Sequence, residues 1–314
     1  MNEGMQLIEH NSVRYWKYEI ACTLALMIVF CSTSSSIAAD NVELTNQFFV
    51  FAYETGESKD QFATRHKAWT SKEEQLVRNL LAELLFLYPK LLFRSSAGAK
   101  LKLLRTARTE NELHYFQNQD FILAKTSPGV VEIADSFFTL EDRSLQSKTL
   151  LHELIHAADA AKLIAYSEEW IIYCKRNLVH LMVAPSFITN SLHDQPSEES
   201  YLAEALAVTY SNYLQNIPVP EERYFETQIA KRFEKISQKE MEFFQRYTLA
   251  YQCILTENMD EAVLLLKRCL QQYPNSVMSS FYLACALMYD KCDKAALHES
   301  RRCLQLITSI SFPR

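Results

Sequence analysis

Apolar residues recur mostly at helical spacing along this chain. Leu76, Leu80, Leu81, Leu84, Leu85 and Leu87 predict an amphipathic helix over 71–93, opened by Ser71-Lys72-Glu73-Glu74 in the manner of a capping box, with Pro89 near its end. From Leu145 onward the helical period dominates, predicting helices over about 145–163 and 167–182. A loop holding Pro185 and Pro196 follows. The next helix runs from near Ser197 to about Leu214, with Glu198 and Glu199 in its first turn, where acids suit the helix dipole. Pro218 and Pro220 then break the chain before a long amphipathic helix over about 221–246. Strand-like runs are confined to Leu101, Leu103 and Leu104, to Phe121-Ile122-Leu123, and to Val130-Val131-Glu132-Ile133-Ala134, with Ser127-Pro128-Gly129 as a turn between the last two. Residues 40–70 carry no clear period.

These elements predict an α+β fold that is predominantly helical. Composition agrees. An apolar fraction of 48% over 314 residues supplies a sizeable core and excludes wholesale disorder. Only 4 residues are glycine (Gly4, Gly56, Gly98 and Gly129), which excludes glycine-rich phosphate loops and dinucleotide folds and disfavours barrels and sandwiches. A net charge of −6 argues against a basic nucleic-acid-binding surface.

The N-terminus reads as an export signal over residues 1–39: Arg14 and Lys17, an apolar run from Ile20 to Cys31, then small residues ending Ser36-Ile37-Ala38-Ala39-Asp40. The run is short for a membrane span, so an exported chain, periplasmic or secreted, is expected, and an uncleaved N-terminal membrane anchor is the alternative. Six of the 8 cysteines lie beyond residue 39, an even number that permits disulfides. No Cys-x-x-Cys pair exists, which disfavours a cysteine zinc site.

The segment 221–314 contains an internal repeat. A shift of 34 residues aligns Leu249 with Leu283, Ala250 with Ala284 and Ala262 with Ala296, and Arg268-Cys269-Leu270-Gln271 with Arg302-Cys303-Leu304-Gln305. This period, with alanine at crowded helix contacts and Pro274 closing one unit, resembles the tetratricopeptide repeat. Two units are fewer than such arrays usually need, so the 221–246 helix is expected to pack on the first. The repeats then serve either as a helical cap or as a docking surface for a protein partner.

The chemistry-bearing string is His152-Glu153-Leu154-Ile155-His156, inside a helical apolar context. Two histidines four residues apart share a helix face and can converge on one zinc ion (Zn2+), while Glu153 is placed to act as general base toward water. Random placement of 8 histidines and 38 acids gives such a string about 0.02 times per chain, so chance is a poor account of it. Asp159, one turn beyond His156, is a candidate to orient a ligand imidazole, or else a solvated acid. A metzincin would need histidine at 162, where Lys162 stands.

At this point the chain resembles the gluzincin metallopeptidases, the group of thermolysin, the aminopeptidases and anthrax lethal factor, in which a glutamate on a second helix completes the zinc site. Glu204-Ala205-Leu206-Ala207 resembles the aminopeptidase pattern and implies Glu204 as third ligand. Tyr201-Leu202-Ala203-Glu204 also resembles the lethal-factor pattern, whose ligand position here is Ser200, which is no plausible ligand. Glu199 is the alternative, and His193 a substitute. Tyr201, Tyr210 and Tyr213 are candidates to hydrogen-bond an oxyanion. The strand over 130–138 is a candidate edge for an extended peptide, or else an internal strand of the small sheet. The resemblance implies a zincin-like metallopeptidase domain over 40–220 and an exported, zinc-dependent enzyme, more endopeptidase than exopeptidase, acting on a peptide or protein substrate. Its layout is similar to periplasmic proteases of outer-membrane quality control. The alternative is a non-catalytic exported scaffold that binds partners through the repeats.

Overall fold

The computed structural model describes residues 43, 45–53, 56–57, 65–96, 100–107, 123–182 and 198–310. Residues 47–314 form one compact unit, distinct from residues 1–46, so the expected export segment lies outside what is described here. The described part is predominantly helical with one small mixed sheet. Its strands are β1 (Phe49–Ala52), β2 (Gly56–Glu57), β3 (Arg65–His66), β4 (Leu101–Ala107), β5 (Ala124–Ser127) and β6 (Val130–Ala134). The helices are α1 (Ser71–Leu87), α2 (Pro89–Ser96), α3 (Asp135–Phe138), α4 (Arg143–Ala158), α5 (Glu168–Met182), α6 (Glu198–Leu214), α7 (Glu222–Tyr224), a π-helix (Phe225–Ala230), α8 (Lys231–Glu234), α9 (Gln238–Leu255), α10 (Met259–Gln272), α11 (Val277–Tyr289) and α12 (Asp293–Ile310).

β4 organises the sheet. On one edge it pairs in parallel with β1 and, further along, antiparallel with β3; on the other it pairs in parallel with β6. β5 then pairs antiparallel with β6 and is the last strand of the sheet among the described residues. The strand expected to offer a free edge, β6, is therefore internal, paired on both sides. The edge is β5, a polar strand one turn upstream. The reversal between them runs through Gly129 at φ +78°, a left-handed conformation that glycine adopts without strain. The run expected at Phe121-Ile122-Leu123 lies mostly outside the described residues.

One face of the sheet is covered by α1 and α4, whose apolar stripes bury Leu80, Leu84, Leu150, Leu154 and Ile155 with Phe49, Leu103 and Ile133. Thr70, one residue earlier than expected, is the N-cap of α1 and forms a true capping box with Glu73. The single helix expected over 71–93 is two, because Tyr88 leaves the helical region and Pro89 starts α2, where its missing N–H is no loss.

The helix expected over 221–246 is also broken. Phe225, Ile229, Ala230 and Phe233 turn into the first core. Lys235 is extended, and Ser237 opens α9 with a second capping box to Glu240. The chain end thus freed is held by the buried Arg94, which donates to the carbonyls of Arg232 and Lys235 at 2.9 Å and to that of Ala158 at 3.0 Å. A guanidinium suits carbonyls left unpaired at helix C-termini.

The last four helices form two hairpins that repeat at 34 residues, since α9 and α11 end at Leu255 and Tyr289 while α10 and α12 start at Met259 and Asp293. The connections match in detail. Glu257 and Lys291 are both left-handed, with φ of 62° and 58°, and the following amides of Asn258 and Cys292 bond back to Cys253 and Leu287. Ala250, Ala262, Ala284, Ala296, Cys269 and Cys303 are all buried. No disulfide joins two of the described cysteines, and no helix of the described residues is long and apolar enough to cross a membrane.

Candidate metal centre

α4 starts at Asp142, whose carboxylate accepts from the amide of Ser144 at 2.8 Å. Its apolar face carries Leu150, Leu151, Leu154, Ile155 and Ala158 into the core. That packing turns His152 and His156 toward α6 and Glu153 toward β5. Alanines at 203, 205 and 207 keep α6 slim on its buried sides, and the indole of Trp170 fixes its height by donating to the carbonyl of Leu202 at 2.9 Å.

Three side chains converge from these two helices. His152 Nε2 lies 3.0 Å from His156 Nε2, and Glu204 spans both, with Oε2 3.1 Å from His152 Nε2 and Oε1 3.1 Å from His156 Nε2. The donor atoms all lie within 4.8 Å of one another. Two donors each ~2.0–2.1 Å from a tetrahedral zinc ion are about 3.3 Å apart, so the triangle is close to the size and has the His/His/carboxylate chemistry that such an ion takes. The side of Glu204 is open, with 39% of its side-chain surface exposed, against 10% for His156.

The electrostatics follow from this closeness. Burial opposes charge on His152, yet its hydrogen bond to Glu204 and the nearby carboxylates of Glu153 and Glu204 outweigh it and hold the imidazole above the ordinary histidine value. His156 goes the other way: burial, aided by Lys162, outweighs Glu204 and depresses it. Burial raises Glu204 too, but hydrogen bonds from both imidazoles prevail and hold its carboxyl well below the usual carboxylate range.

Glu153 is buried beside the triangle, its Oε2 accepting from Thr126 Oγ1 on β5 at 2.7 Å. Asp159 has neither of its expected roles. It is buried, and its carboxylate accepts from the amides of Ile164 and Ala165 at 2.9 and 2.8 Å, closing the loop that follows α4. Burial raises its pKa above the usual value despite those amides. In that loop Lys162 is left-handed, at φ 57°, and brings its amine to 3.5 Å from Nδ1 of His156. Burial lowers this amine's pKa against the pull of Asp159, Glu204 and Glu153.

The remaining candidates fall elsewhere. Tyr210 stacks on Phe233 with ring centroids 4.2 Å apart, and Tyr213 packs on Phe225, so both serve the core. The backbone of Glu199 and Tyr201 belongs to α6, but their side chains, and all of His193, lie outside the described set. Thr126 and Lys162 carry no motif and were invisible in the sequence; only the tertiary fold brings them to the site.

Comparison of the chain with protein-family models, with characterised proteins and with solved structures finds no match.

Proposed function

We propose that this chain is a zinc-dependent metalloprotease, exported to the periplasm or beyond, that hydrolyses peptide bonds in a peptide or protein substrate. The observation that carries the reading is the convergence of His152, His156 and Glu204 from two helices, with a buried carboxylate, Glu153, one step around the same helix. The gluzincin resemblance drawn from the sequence points to the same three ligands.

His152, His156 and Glu204 would hold the metal. Zinc, when bound, supplies polarisation of the scissile carbonyl and activation of water. Glu153 accepts the proton that water gives up and delivers it to the leaving amine. The partial burial of the imidazoles limits competing solvent, while the exposed flank of Glu204 leaves an approach for substrate. β5 ends the sheet beside α4, and its outer edge suits an extended peptide added as a further strand. The two helical hairpins at the C-terminus, whose sequence resembles tetratricopeptide repeats, would offer a place for a protein partner.

Glu153→Gln tests the chemistry. The variant should keep stoichiometric zinc and lose at least about 100-fold in hydrolysis of labelled casein. An unchanged rate would remove Glu153 from the role of base. One observation favours a non-catalytic scaffold instead: the amine of Lys162 against Nδ1 of His156 opposes a dication nearby. Metal content after native purification separates the two. One zinc per chain supports the enzyme, and a metal-free chain that takes up no added zinc supports the scaffold.

A further inference from the structure

Glu153 is buried, and among the described residues its side chain accepts a hydrogen bond from one residue of another element, Thr126. Thr126 Oγ1 lies 2.7 Å from its Oε2 and 3.1 Å from its main-chain oxygen. A hydroxyl has a single proton, and the shorter contact, to a charged acceptor, is the stronger. We propose that Thr126 is a positioning residue for Glu153, a role that rests on the peptidase reading above. Its hydroxyl holds Oε2 and fixes the plane of the carboxylate, which leaves Oε1 as the oxygen that receives and returns the proton. When Oε1 is protonated the hydroxyl bond to Oε2 persists, so the carboxyl stays in place through the whole cycle.

The strand that presents Thr126 is held firmly enough for this task. Thr126 is in register with Val131 on β6, which is itself paired to β4. The tip of the hairpin is seated on α9: a Cβ built on Gly129 would lie 2.5 Å from Cγ2 of Thr248, so backbone and helix are in direct contact there. β5 is therefore fixed along its length by the sheet and at its turn by the repeat module. A hydroxyl on such a strand constrains the carboxylate, whereas one on a loose loop would follow it.

The test uses the full chain and three substitutions. Thr126→Val keeps the side-chain shape and removes the hydroxyl, Thr126→Ser keeps the hydroxyl, and Glu153→Ala removes the acceptor. With zinc loaded and labelled casein as substrate, Thr126→Val should lower kcat about tenfold or more with KM within about twofold, and Thr126→Ser should stay within about threefold of wild type. Zinc content should be equal in all. Wild-type kcat in Thr126→Val, or an equal loss in Thr126→Ser, overturns the proposal. A second measurement needs no turnover. In urea unfolding of the metal-free chain, Thr126→Val should weaken the folding equilibrium about fivefold in the wild-type background and clearly less beside Glu153→Ala, where only the main-chain oxygen of residue 153 is left to accept. Equal losses in both backgrounds would show that the hydroxyl does not act through Glu153. Zinc-loaded wild type that leaves casein uncut would refute the peptidase reading, and the unfolding cycle would still decide whether Thr126 holds Glu153.

Discussion

Replacing Glu204 by glutamine tests the metal centre most directly, because it preserves the side chain's volume and removes its charge. Glu204 is the only anion of the triangle and touches both imidazoles at 3.1 Å. Structural zinc sites hold the ion with about 10–16 kcal/mol over four ligands, or roughly 2.5–4 kcal/mol each. At ~1.4 kcal/mol per tenfold, losing this ligand should weaken zinc binding by about 60-fold to 700-fold. Removing a group that only orients a ligand costs about 10–100-fold, so a loss beyond 100-fold marks a ligand. One effect runs the other way. Glu204 helps hold the proton on His152, so Glu204→Gln also frees that imidazole from its proton and recovers part of the affinity. Working near pH ~8, above the ordinary histidine range, reduces this recovery. The assay is competition against a chromogenic chelator, with Glu199→Gln beside it. Affinity within about threefold of wild type in Glu204→Gln would refute the assignment, and a large loss in Glu199→Gln would transfer it to that residue.

Two further outcomes follow from the buried charges. Arg94, with 1% of its side chain exposed, holds three carbonyls and lies 3.6 Å from Glu240; Arg94→Met should cost about 3–5 kcal/mol in urea unfolding, and a loss below about 1 kcal/mol would contradict its role as a clamp. In the metal-free chain the raised pKa of His152 means that its pairing with Glu204 stabilises the fold fully below the unfolded histidine value, about 6.5, and that this contribution is lost as pH rises through the folded value. Melting temperature should therefore fall more steeply in wild type than in His152→Gln as pH rises from about 6.5, and parallel curves would count against the coupling.

The legible parts of this protein are those where the chemistry is local. His152, Glu153 and His156 are readable as candidates because two metal ligands on one helix have to share a face, whereas Glu204 is reached only through the resemblance of Glu204-Ala205-Leu206-Ala207 to the aminopeptidase pattern, with Glu199 left open. The repeat was readable because identical residues recur at a fixed spacing. What escaped notice depends on contacts distant in sequence. β2 and β3 are two-residue strands without a measurable period, and β5 is a polar edge strand whose only pattern is its partner's. The break at Lys235 did leave a trace, since Ser237 and Glu240 have the spacing of a capping box. An uninterrupted amphipathic period masked it, and the arginine that catches the freed carbonyls comes from α2. Asp159 reads as an ordinary acid until the loop after α4 folds back onto it.

That loop also changes what the repeat module is for. Ala161 is buried in the same cluster as Phe243, Tyr247 and Leu266, with Leu163 packed against it, whereas Ile164 and Ala165 belong to the core around α4. Lys162, between the two cores, is the residue that reaches His156. Arg94 joins the end of α4 to the segment leading into α9, and Gly129, in the turn after the strand that carries Thr126, rests on α9. The first repeat helix thus supports the site along two routes, one ending at a metal-ligand candidate and the other at the candidate base. A module added only to recruit a partner would need none of these contacts. These are the contacts of a helical cap, and any partner proposed for the repeats would have to use faces other than the one packed on the loop and the hairpin.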